Sequence, residues 1–490
     1  MLADKTIVLG ITGSVAAYKA ADIASKLTQA GAKVEVVMTE PATRFIAPLT
    51  LRSITGRAVV TDMFDLASQH GIEHIALGEA ADLVVIAPTT ASIIAKMAVG
   101  IADDMVTLTV LATKAPVILA PAMDVNMFEN PITQENIAKL KARGFTVVDP
   151  AYGRLASGKV GWGRLADIDK IIGTIKQVLG RSGDLKGKRM VVTAGGTQEP
   201  IDPVRHISNP SSGKMGYAVA EAARDRGAKV TLITAPTSLP DPVGIEIIPV
   251  RTTAEMKKAV TKAVAKADAL IMAAAVTDYQ PKTVAKAKIK KESPSLTLEL
   301  VRTPDILGEV KGDFIKVGFA AESEDIVANA KKKLQKKQLD LIVANDITDK
   351  KSGFGVDTNK VTIISRDGKI ESLPLMSKRE VADKILDRVV GLLGERHLEI
   401  TIKQYMIDER RLRIPSDKME FFPPPKTRFD LETEDGQVIN TWIESSGQIW
   451  KRIGQWVKTR LKAGDRVDMK VIEPMKKYRL ELLKGQREVV

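Results

Sequence analysis

The sequence predicts an α/β protein with two parallel-sheet domains followed by a small β-rich module. Three observations predict this class. Short β-branched runs alternate with longer segments of helical periodicity, the alternation restarts once after a charged, Gly-containing stretch, and the composition changes beyond about residue 396. Strands that are apolar throughout are expected where helices cover both faces of a parallel sheet.

The first domain is predicted over residues 1–180. The segment AAYKAADIASKLTQAG repeats apolar residues with helical spacing and lies between two of the predicted strands. The predicted strands of this domain are TIVLGI, KVEVVMT, DLVVIAP and PVILAPA. This alternation is typical of βαβ units in a parallel sheet.

A linker is predicted at residues 181–187, within the Gly-rich, charged stretch LGRSGDLKGKR, and a second domain at 188–396. The segment GYAVAEAARDRGA is a predicted helix of this second domain. Its predicted strands are RMVVTAGGT, KVTLITAP, ALIMAAAV, IKVGFAAE and LDLIVAND.

The third region, residues 397–490, contains Trp442, Trp450 and Trp456 and the only Pro-Pro-Pro run of the chain. The segments RHLEITIKQYMI and DRVDMKVIEP alternate polar and apolar residues and predict strands. Residues 446–464 predict one amphipathic helix that ends at Gly464. We therefore expect a small β-rich module with one helix.

Composition excludes several classes of site. The 490 residues include no cysteine, which excludes disulfides and thiolate metal sites, and only four histidines, which argues against a His-rich metal site. No apolar run approaches the roughly 20 residues of a membrane span, and the N-terminal stretch does not resemble a secretory signal, so we expect a cytoplasmic protein without membrane contact. The net charge of +13 favours phosphorylated ligands, unless it serves only solubility.

Polar turns follow two strands of the first domain. Gly13 and Ser14 open a helix after the first strand, where free backbone N–H groups favour a phosphate, although a βα turn of this kind also occurs without a ligand. Thr89 and Ser92 supply hydroxyls at a second strand end. Because ligands of open α/β sheets bind at these ends, the two turns together predict one phosphorylated planar cofactor. His74 is a candidate site residue, although a lone histidine is more often structural.

The run TQEPIDPVRHISNPSSGKMG is the most specific stretch of the second domain. Its three prolines exclude a helix, and Arg205, Asn209 and Lys214 are among the polar residues that precede a helix predicted to start near Gly216. Asp278 follows a later strand and precedes several lysines. A carboxylate with lysines is typical of a site for a nucleoside triphosphate with Mg²⁺, unless the lysines form an ordinary solvated face.

These residues resemble a known family. The runs DPVRHISNPSSGKMG, VTDYQP, GFAAES and LDLIVAND, over about residues 4–393, resemble the bifunctional phosphopantothenoylcysteine decarboxylase / phosphopantothenate–cysteine ligase family of coenzyme A biosynthesis. The resemblance implies a cytoplasmic enzyme that ligates cysteine to 4′-phosphopantothenate with CTP and then decarboxylates the product to 4′-phosphopantetheine.

For the first half, the resemblance implies a flavodoxin-like, trimer-forming domain that binds FMN. The flavin-binding positions correspond to Gly13, Ser14, Thr39, Thr89 and Ser92. In the family, hydride transfer to FMN oxidises the cysteinyl thiol to a thioaldehyde, which makes the carboxylate a good leaving group, and the reduced flavin then returns the hydride. The catalytic histidine corresponds to His74.

Two positions depart from the family pattern. The family's Pro-Ala-Met-Asn motif is PAMDVNM here, with Asp124, Asn126 and Met127 as the implied substrate-binding residues. An ionised Asp124 would repel the substrate carboxylate unless its pKa were raised or a nearby cation intervened. Ser157, in the Gly-rich flap at residues 153–167, replaces the family's proton-donating cysteine, and a hydroxyl is a far weaker acid than a thiol.

Two explanations of these departures remain. Either the enzyme works with a modified proton donor, or the first half only binds FMN and supports assembly while the ligase stays active.

For the second half, the resemblance implies a dimer-forming ligase that passes through an acyl-cytidylate. Asn209 matches the residue that binds this intermediate, and Lys288 matches the lysine required to form it. Arg205, Asp278, Phe319 and Lys337 are further implied substrate or nucleotide contacts, with Asp278 also near the metal. Dimers that join trimers give a dodecamer.

Residues 397–490 lie beyond the resemblance. Their basic, aromatic composition is one that nucleic-acid-binding modules share, but the modest excess of basic over acidic residues argues against that function. The alternative is that the aromatic residues form the module's own core and that the module contacts neighbouring subunits.

Overall fold

The structure is a computed structural model of the 490-residue chain. It describes residues 2–63, 73–290, 295–322, 325–346, 352–353, 355–395, 397–414, 422, 426–433, 437–444, 447–449, 453–463, 465–473 and 477–482. The chain forms two compact units. One contains residues 1–187, 223–229 and 240–245, and the other contains 188–222, 230–239 and 246–490.

The first unit is built on a six-stranded parallel sheet. From one edge to the other, its strands are Val59–Val60, Lys33–Met38, Thr6–Ile11, Leu83–Thr89, Val117–Pro121 and Thr146–Val147. The chain runs outward from the third strand of this order to the first and then returns to the fourth. The order therefore reverses between Thr6–Ile11 and Leu83–Thr89, which is where open α/β sheets bind ligands.

Both faces of this sheet are buried. Ile7 and Leu9 pack on one face with Val36, whereas Val8 of the same strand packs on the other face with Ile86. Alternate residues of one strand thus belong to two separate cores, which explains why the strands are apolar throughout.

Ten helices of the first unit connect and cover its strands among the described residues. They are Val15–Lys19 (a 3₁₀ helix), Ala20–Gln29, Glu40–Thr43, Pro48–Thr55, Glu73–Ala80, Ala91–Val99, Met105–Ala112, Val125–Glu129, Pro131–Ala142 and Ile168–Gly180. The hairpin of Ala151–Arg154 with Val160–Arg164 precedes the last of them.

The second unit contains an eight-stranded sheet. Its strand order is Glu246–Pro249, Lys229–Thr234, Arg189–Ala194, Ala269–Met272, Ile315–Glu322, Leu341–Asp346, Val361–Ser365 and Ile370–Ser372. The two pairings that involve Val361–Ser365 are antiparallel. The strand order reverses between Arg189–Ala194 and Ala269–Met272, which repeats the arrangement of the first unit.

Among the described residues between 188 and 395, the structure has six helical segments: Lys214–Asp225, Thr253–Ala263, Val264–Lys266 (3₁₀), Ile306–Glu309, Ile326–Lys336 and Lys378–Glu395. Two small antiparallel pairs, Gln198–Pro200 with His206–Ser208 and Tyr279–Pro281 with Leu300–Arg302, follow strands of the large sheet. A further pair joins Thr358–Asn359 to Met376–Ser377.

The C-terminal module has a five-stranded sheet in the order His397–Thr401, Arg466–Glu473, Lys477–Leu482, Arg428–Glu432, Val438–Trp442. Leu412–Arg413 pairs separately with Gln448–Ile449. The part of the module that the structure describes also includes the helices Gln404–Asp408 and Gly454–Arg460. This fold class, α/β with a β-rich C-terminus, is the predicted one.

Two predictions for the module were wrong in detail. A helix was expected over residues 446–464, but Gln448–Ile449 pairs as a strand that buries Ile449, and the helix that the structure describes here is Gly454–Arg460. The segment RHLEITIKQYMI turns from a strand into the helix Gln404–Asp408. Gly464, the expected end of the predicted helix, lies outside the described residues.

Within the described part of the chain, every helix is too short or too polar to cross a bilayer.

Candidate active sites

Thr12 joins the two strand ends at the switch point of the first sheet. Its Oγ1 donates a hydrogen bond to the carbonyl oxygen of Pro88 at 2.7 Å and accepts one from the backbone N–H of Thr90 at 3.1 Å. The side chain is fully buried. These two bonds hold the Gly13–Ser14 turn next to the Thr89 turn. The sequence predicts that the two turns share one ligand.

Gly13, Ser14 and Thr39 lie at the ends of neighbouring strands. A Cβ at Gly13 would lie 2.5 Å from the Cβ of Pro41, so only glycine permits this close approach. Ser14 caps the helix Val15–Lys19, and its Oγ accepts from the N–H of Ala16 at 3.3 Å. The hydroxyl of Thr39 is buried and has no hydrogen-bond partner among the described residues.

An unpaired buried hydroxyl costs free energy unless a ligand or water satisfies it. The Thr39 hydroxyl therefore fits a polar group of a ligand at this turn.

Thr89 and Ser92 differ in environment. Thr89 is buried, and its hydroxyl donates to the carbonyl oxygen of Ile86 at 2.6 Å, which leaves only its lone pairs for a ligand. Ser92 is exposed in the first turn of the helix Ala91–Val99. The hydroxyl of Thr90 caps this helix by accepting from the N–H of Ile93.

His74 lies in the first turn of the helix Glu73–Ala80 and is half-buried. The alternating apolar pattern after it is therefore helical. Residues 64–72, which precede it, lie outside the described part of the chain, so the structure leaves the catalytic assignment of His74 as a prediction.

Ser157 lies at the tip of the hairpin formed by Ala151–Arg154 and Val160–Arg164, and its Oγ donates to Oδ2 of Asp124 at 2.7 Å. Lys159, on the same tip, places Nζ 3.3 Å from Oδ1 of Asp124. Further along the hairpin, Tyr152 and Trp162 make an edge-to-face contact with centroids 5.4 Å apart. The two residues that depart from the family pattern thus contact each other directly.

Asp124 is held ionised. The hydrogen bond from Ser157, the backbone N–H of Asn126 and the charge of Lys159 lower the pKa of its carboxyl below the usual value. Repulsion of a substrate carboxylate could be avoided by a raised pKa of Asp124 or by a nearby cation. The pKa is lowered, so the first explanation is wrong, and Lys159 is the nearby cation. Asn126 and Met127 are exposed in the same short helix, Val125–Glu129.

A cavity of about 800 Å³ opens at the switch point of the second sheet. Its walls include residues 209–216, 272–279, 302–307 and 318–321. The first two ranges follow Arg189–Ala194 and Ala269–Met272, the strands between which the order reverses. A volume of this size matches a nucleotide-sized ligand.

Four predicted ligase residues line this cavity: Asn209, Asp278, Phe319 and Lys337. The Nδ2 of Asn209 donates to the carbonyl oxygen of Val276 at 3.1 Å. Lys337 forms an ion pair with Asp305 at 3.0 Å. Burial disfavours the charged form of Asp305, but the hydrogen bond and charge of Lys337 outweigh it and lower the pKa of that carboxyl.

Arg205 and Lys288 lie on a different part of the second unit and do not line the cavity. The guanidinium of Arg205 bonds to Oδ2 of Asp202 at 3.1 Å and to the carbonyl oxygen of Ile289 at 3.3 Å, and Lys288 is exposed beside Ile289. The predicted ligase residues are therefore split between two places on one chain.

The described residues contain no cluster of three or more carboxylate or histidine side chains that could hold a metal ion. Asp278 remains the predicted metal ligand. A single carboxylate suits Mg²⁺ that arrives with a nucleotide, because Mg²⁺ is commonly held by one or two carboxylates together with substrate phosphates.

The sequence did not predict several residues that the structure places in the two sites. Lys159 lies in the flap, but no sequence signal pairs it with Asp124. Lys378 belongs to the cavity wall because the helix that starts there packs beside the turn at residues 353–356. Asn345 and Asn359 also line the cavity, and both of their side chains bond to the hydroxyl of Ser352.

Comparisons with known proteins assign both halves. Residues 1–180 match the family described as Flavoprotein, and residues 185–392 match the DNA/pantothenate metabolism flavoprotein C-terminal domain. The coenzyme A biosynthesis bifunctional protein CoaBC of Bacillus subtilis (strain 168) is 48% identical over 405 residues, which are 81% of this chain and 100% of that protein.

The chain belongs to the CoaBC family of bifunctional coenzyme A biosynthesis proteins.

Other CoaBC proteins agree. The one from Vibrio vulnificus (strain YJ016) is 44% identical over 399 residues, 80% of this chain and 99% of that protein. The one from Mycobacterium tuberculosis (strain ATCC 25618 / H37Rv) is 42% identical over 410 residues, 80% of this chain and 97% of that protein.

The predicted family, and the prediction of a bifunctional enzyme with a flavoprotein half, are therefore confirmed. Similarity to CoaBC proteins across both halves does not favour the alternative of an inactive first half. The roles of individual site residues and the domain boundaries stay predictions.

Proposed function

We propose that the chain catalyses two consecutive reactions of coenzyme A biosynthesis. The second unit ligates cysteine to 4′-phosphopantothenate at the expense of CTP, and the first unit decarboxylates the resulting phosphopantothenoylcysteine to 4′-phosphopantetheine with FMN. The observation that carries the proposal is the cavity that brings Asn209, Asp278, Phe319 and Lys337 together at the switch point of the second sheet.

In the ligase, a carboxylate oxygen of phosphopantothenate attacks the α-phosphorus of CTP, and pyrophosphate leaves. The amine of cysteine then attacks the acyl carbon, and CMP leaves. Asp278 would hold Mg²⁺ on the triphosphate, and the amide of Asn209 would orient the acyl-cytidylate. Phe319 and Lys337 line the same cavity and would contact the nucleotide. Positioning and charge neutralisation are the main contributions that a protein makes to such a transfer.

Arg205 would bind phosphopantothenate, and Lys288 would promote formation of the acyl-cytidylate, at the cavity of a second copy of the chain, since neither residue lines the cavity of its own copy. The parts of the chain that precede and follow them in sequence also expose large apolar side chains, which would suit a subunit contact. These are Val204, Tyr279, Val284, Leu296, Leu300 and Val301, each 37–61% exposed. We therefore propose a homo-oligomer with dimer contacts through the ligase, and trimer contacts through the first half would complete a dodecamer.

In the decarboxylase, the residues present fit FMN, because the glycine turn at Gly13 and the unpaired buried hydroxyl of Thr39 leave polar groups for it. Ser14, Thr89 and Ser92 would complete the flavin site. When bound, FMN accepts a hydride from the substrate and later returns it.

The residues of the chain would handle substrate and protons in this step. The flap would cover the substrate, Lys159 would offset the charge of Asp124 next to the substrate carboxylate, and His74 would move a proton. Ser157, or a group behind it, would supply the final proton.

Two assays on the pure protein test the proposal. With phosphopantothenate, cysteine and CTP, the ligase should release pyrophosphate and CMP in equal amounts. With synthetic phosphopantothenoylcysteine alone, the decarboxylase should release CO₂ and form phosphopantetheine. Pyrophosphate release without CO₂ release would contradict the decarboxylase, and the reverse result would contradict the ligase.

A further inference from the structure

Lys378 is a buried cation in the wall of the ligase cavity. It is the first residue of the helix Lys378–Glu395 and is only 6% exposed. Its Nζ donates to the carbonyl oxygen of Gly353 at 3.0 Å and to that of Val356. No motif in the sequence marks this lysine, and the proposed reaction gives it no role.

No carboxylate forms an ion pair with Lys378 among the described residues. The charges that act on its ammonium group are those of Lys214 and of Asp357, which pairs with Lys214 at 2.7 Å. Burial, together with the positive charge of Lys214, outweighs the negative charge of Asp357 and lowers the pKa of Lys378 below the usual lysine value. A buried ammonium group with only carbonyl partners lacks the opposite charge that buried ions normally have.

The cavity itself has an excess of positive charge. Its two lining carboxylates are Asp278 and Asp305, and the second is already paired with Lys337. The basic residues that line it are Lys214, Arg302, Lys333, Lys336, Lys337 and Lys378. An anionic ligand would therefore supply the charge that this wall lacks.

We propose that Lys378 is a phosphate-binding residue of this cavity and that Lys214 completes the subsite. Both lysines line the cavity, and both donate to carbonyl oxygens of one short stretch of the chain: Lys378 to those of Gly353 and Val356, and Lys214 to that of Gly355. The inference rests on the proposed function for the identity of the ligand. The phosphate could come from the triphosphate of CTP or from phosphopantothenate.

The test compares Lys378→Gln with wild type by isothermal titration calorimetry of the full-length protein. Glutamine removes the charge but keeps N–H donors for the two carbonyl groups. Pyrophosphate with Mg²⁺, CTP with Mg²⁺, phosphopantothenate and cytidine are titrated separately. Lys384→Gln is the matched control, because Lys384 lies on the same helix but is exposed and outside the cavity.

We expect Lys378→Gln to weaken pyrophosphate and CTP binding about 10- to 100-fold, as the loss of a charged hydrogen-bond donor does, and to leave cytidine binding unchanged. If the substitution weakens only the binding of phosphopantothenate, the subsite holds the phosphate of that substrate instead. Unchanged affinities for all three phosphate compounds would overturn the proposal. A parallel loss of cytidine binding would overturn it as well, because it would show that Lys378 only supports the cavity wall.

Crystal structures of the wild-type protein with CTP and with phosphopantothenate decide the question if Lys378→Gln does not fold. The proposal requires a phosphate oxygen of one of these ligands within about 4 Å of Nζ of Lys378, and phosphates of both ligands bound only elsewhere would refute it. Pyrophosphate binding does not require turnover. Its dependence on Lys378 can therefore hold even if the ligase assay fails, and the two failures are distinguishable.

Discussion

At the level of single residues, the Asp124–Lys159 ion pair has no net charge. It resembles in this respect the neutral asparagine that the family pattern has at position 124. The carboxylate of Asp124 accepts bonds from both Ser157 and Lys159, so its negative charge is balanced only while Lys159 is present. The pair would therefore permit an acidic substrate beside an ionised aspartate.

Lys159→Gln should raise the KM for phosphopantothenoylcysteine roughly five- to tenfold, because an unbalanced carboxylate would face the substrate carboxylate across a few ångströms of water. The double variant D124N/K159Q should recover most of this loss. Steady-state CO₂ release measures both variants. Lys141→Gln, which breaks a different exposed ion pair in the same unit, is the control. A double variant no better than K159Q would argue against charge compensation.

Ser157→Cys should speed decarboxylation about tenfold or more, since a thiol with a pKa near 8.5 donates a proton far more readily than a hydroxyl. Mass spectrometry of quenched reactions should detect an oxidised, decarboxylated intermediate with wild type and less of it with S157C. Ser157→Ala is the comparison variant, because alanine has no side-chain hydroxyl or thiol that could donate a proton. Equal rates for all three proteins, with no intermediate, would mean that another group supplies the proton.

At the level of elements, the ligase cavity depends on the close approach of the helix Lys214–Asp225 to the strand Arg189–Ala194. A Cβ at Gly216 would lie 2.6 Å from both the carbonyl oxygen of Thr193 and the Cβ of Ala194. The helix would have to move away from the strand that carries one side of the switch point.

Gly216→Ala should therefore lower the free energy of unfolding by about 1–3 kcal/mol, as overpacking does, and weaken CTP binding. Gly391→Ala provides the contrast, because a Cβ there meets nothing within 4 Å in an exposed helix position. That change should stabilise the protein by about 0.5–1 kcal/mol. Urea unfolding measures both, and equal effects of the two substitutions would show that packing at Gly216 is not tight.

Asp202 fixes the segment that carries Arg205 and Lys288. Its carboxylate accepts from the backbone N–H groups of Val204, Arg205 and Ile289, and from the guanidinium of Arg205. Burial opposes ionisation, but these hydrogen bonds outweigh it and lower the pKa of Asp202.

Asp202→Asn should thus reduce the melting temperature by several degrees at pH 7. A carboxyl whose pKa is lower in the folded than in the unfolded chain stabilises the fold above the unfolded value of about 3.9 and loses this effect as the pH falls through the folded value. The difference in melting temperature between wild type and D202N should therefore shrink below about pH 4. Asp241→Asn, at an exposed position, should show no such trend. A difference that stays constant down to pH 3 would contradict the assignment.

Periodicity predicted the main strands of both sheets, because their residues are buried on both faces and leave a strong apolar signal. It failed at residues 446–464, where Ile449 is buried by a strand pairing that short-range periodicity cannot detect. The polar turns marked Asn209 and Asp278 because they follow strands directly. No sequence pattern pointed to Lys378. It lies more than 160 residues from Lys214 in sequence, and only the tertiary fold brings the two lysines together.

At the level of the whole molecule, the two sites lie in separate units built on separate sheets. The product of ligation, an amide that carries a cysteinyl carboxylate, is the substrate of decarboxylation. The activities should therefore be separable by substitution.

Asn209→Ala should reduce CTP-dependent ligation by a factor of 10² or more and leave decarboxylation of supplied phosphopantothenoylcysteine within twofold of wild type. His74→Gln should do the opposite, with a loss of about 10²–10⁴, as is typical for removal of a general acid or base. A mixture of the two variants should restore the complete conversion, as measured by chromatography of phosphopantetheine. Loss of both activities in either variant would show that the units do not act independently.

The C-terminal module follows the ranges matched by the family, which end at residue 392. Phe422, Phe429 and Tyr478 form one aromatic cluster in its core, and Trp456 is 7% exposed. These side chains pack inside the module and are not available to stack on bases, which agrees with the alternative that the aromatic residues form its core. Trp450 lies outside the described residues, and nucleic-acid binding stays a prediction.

Trp162, which contacts Tyr152 on the flap, is the only tryptophan before residue 442, and its side chain is 47% exposed. Its indole fluorescence should therefore be open to acrylamide quenching, whereas that of Trp456 in the module should be shielded. The chain thus carries its own optical probe, and stopped-flow emission could record how fast the hairpin closes over a substrate without any attached dye.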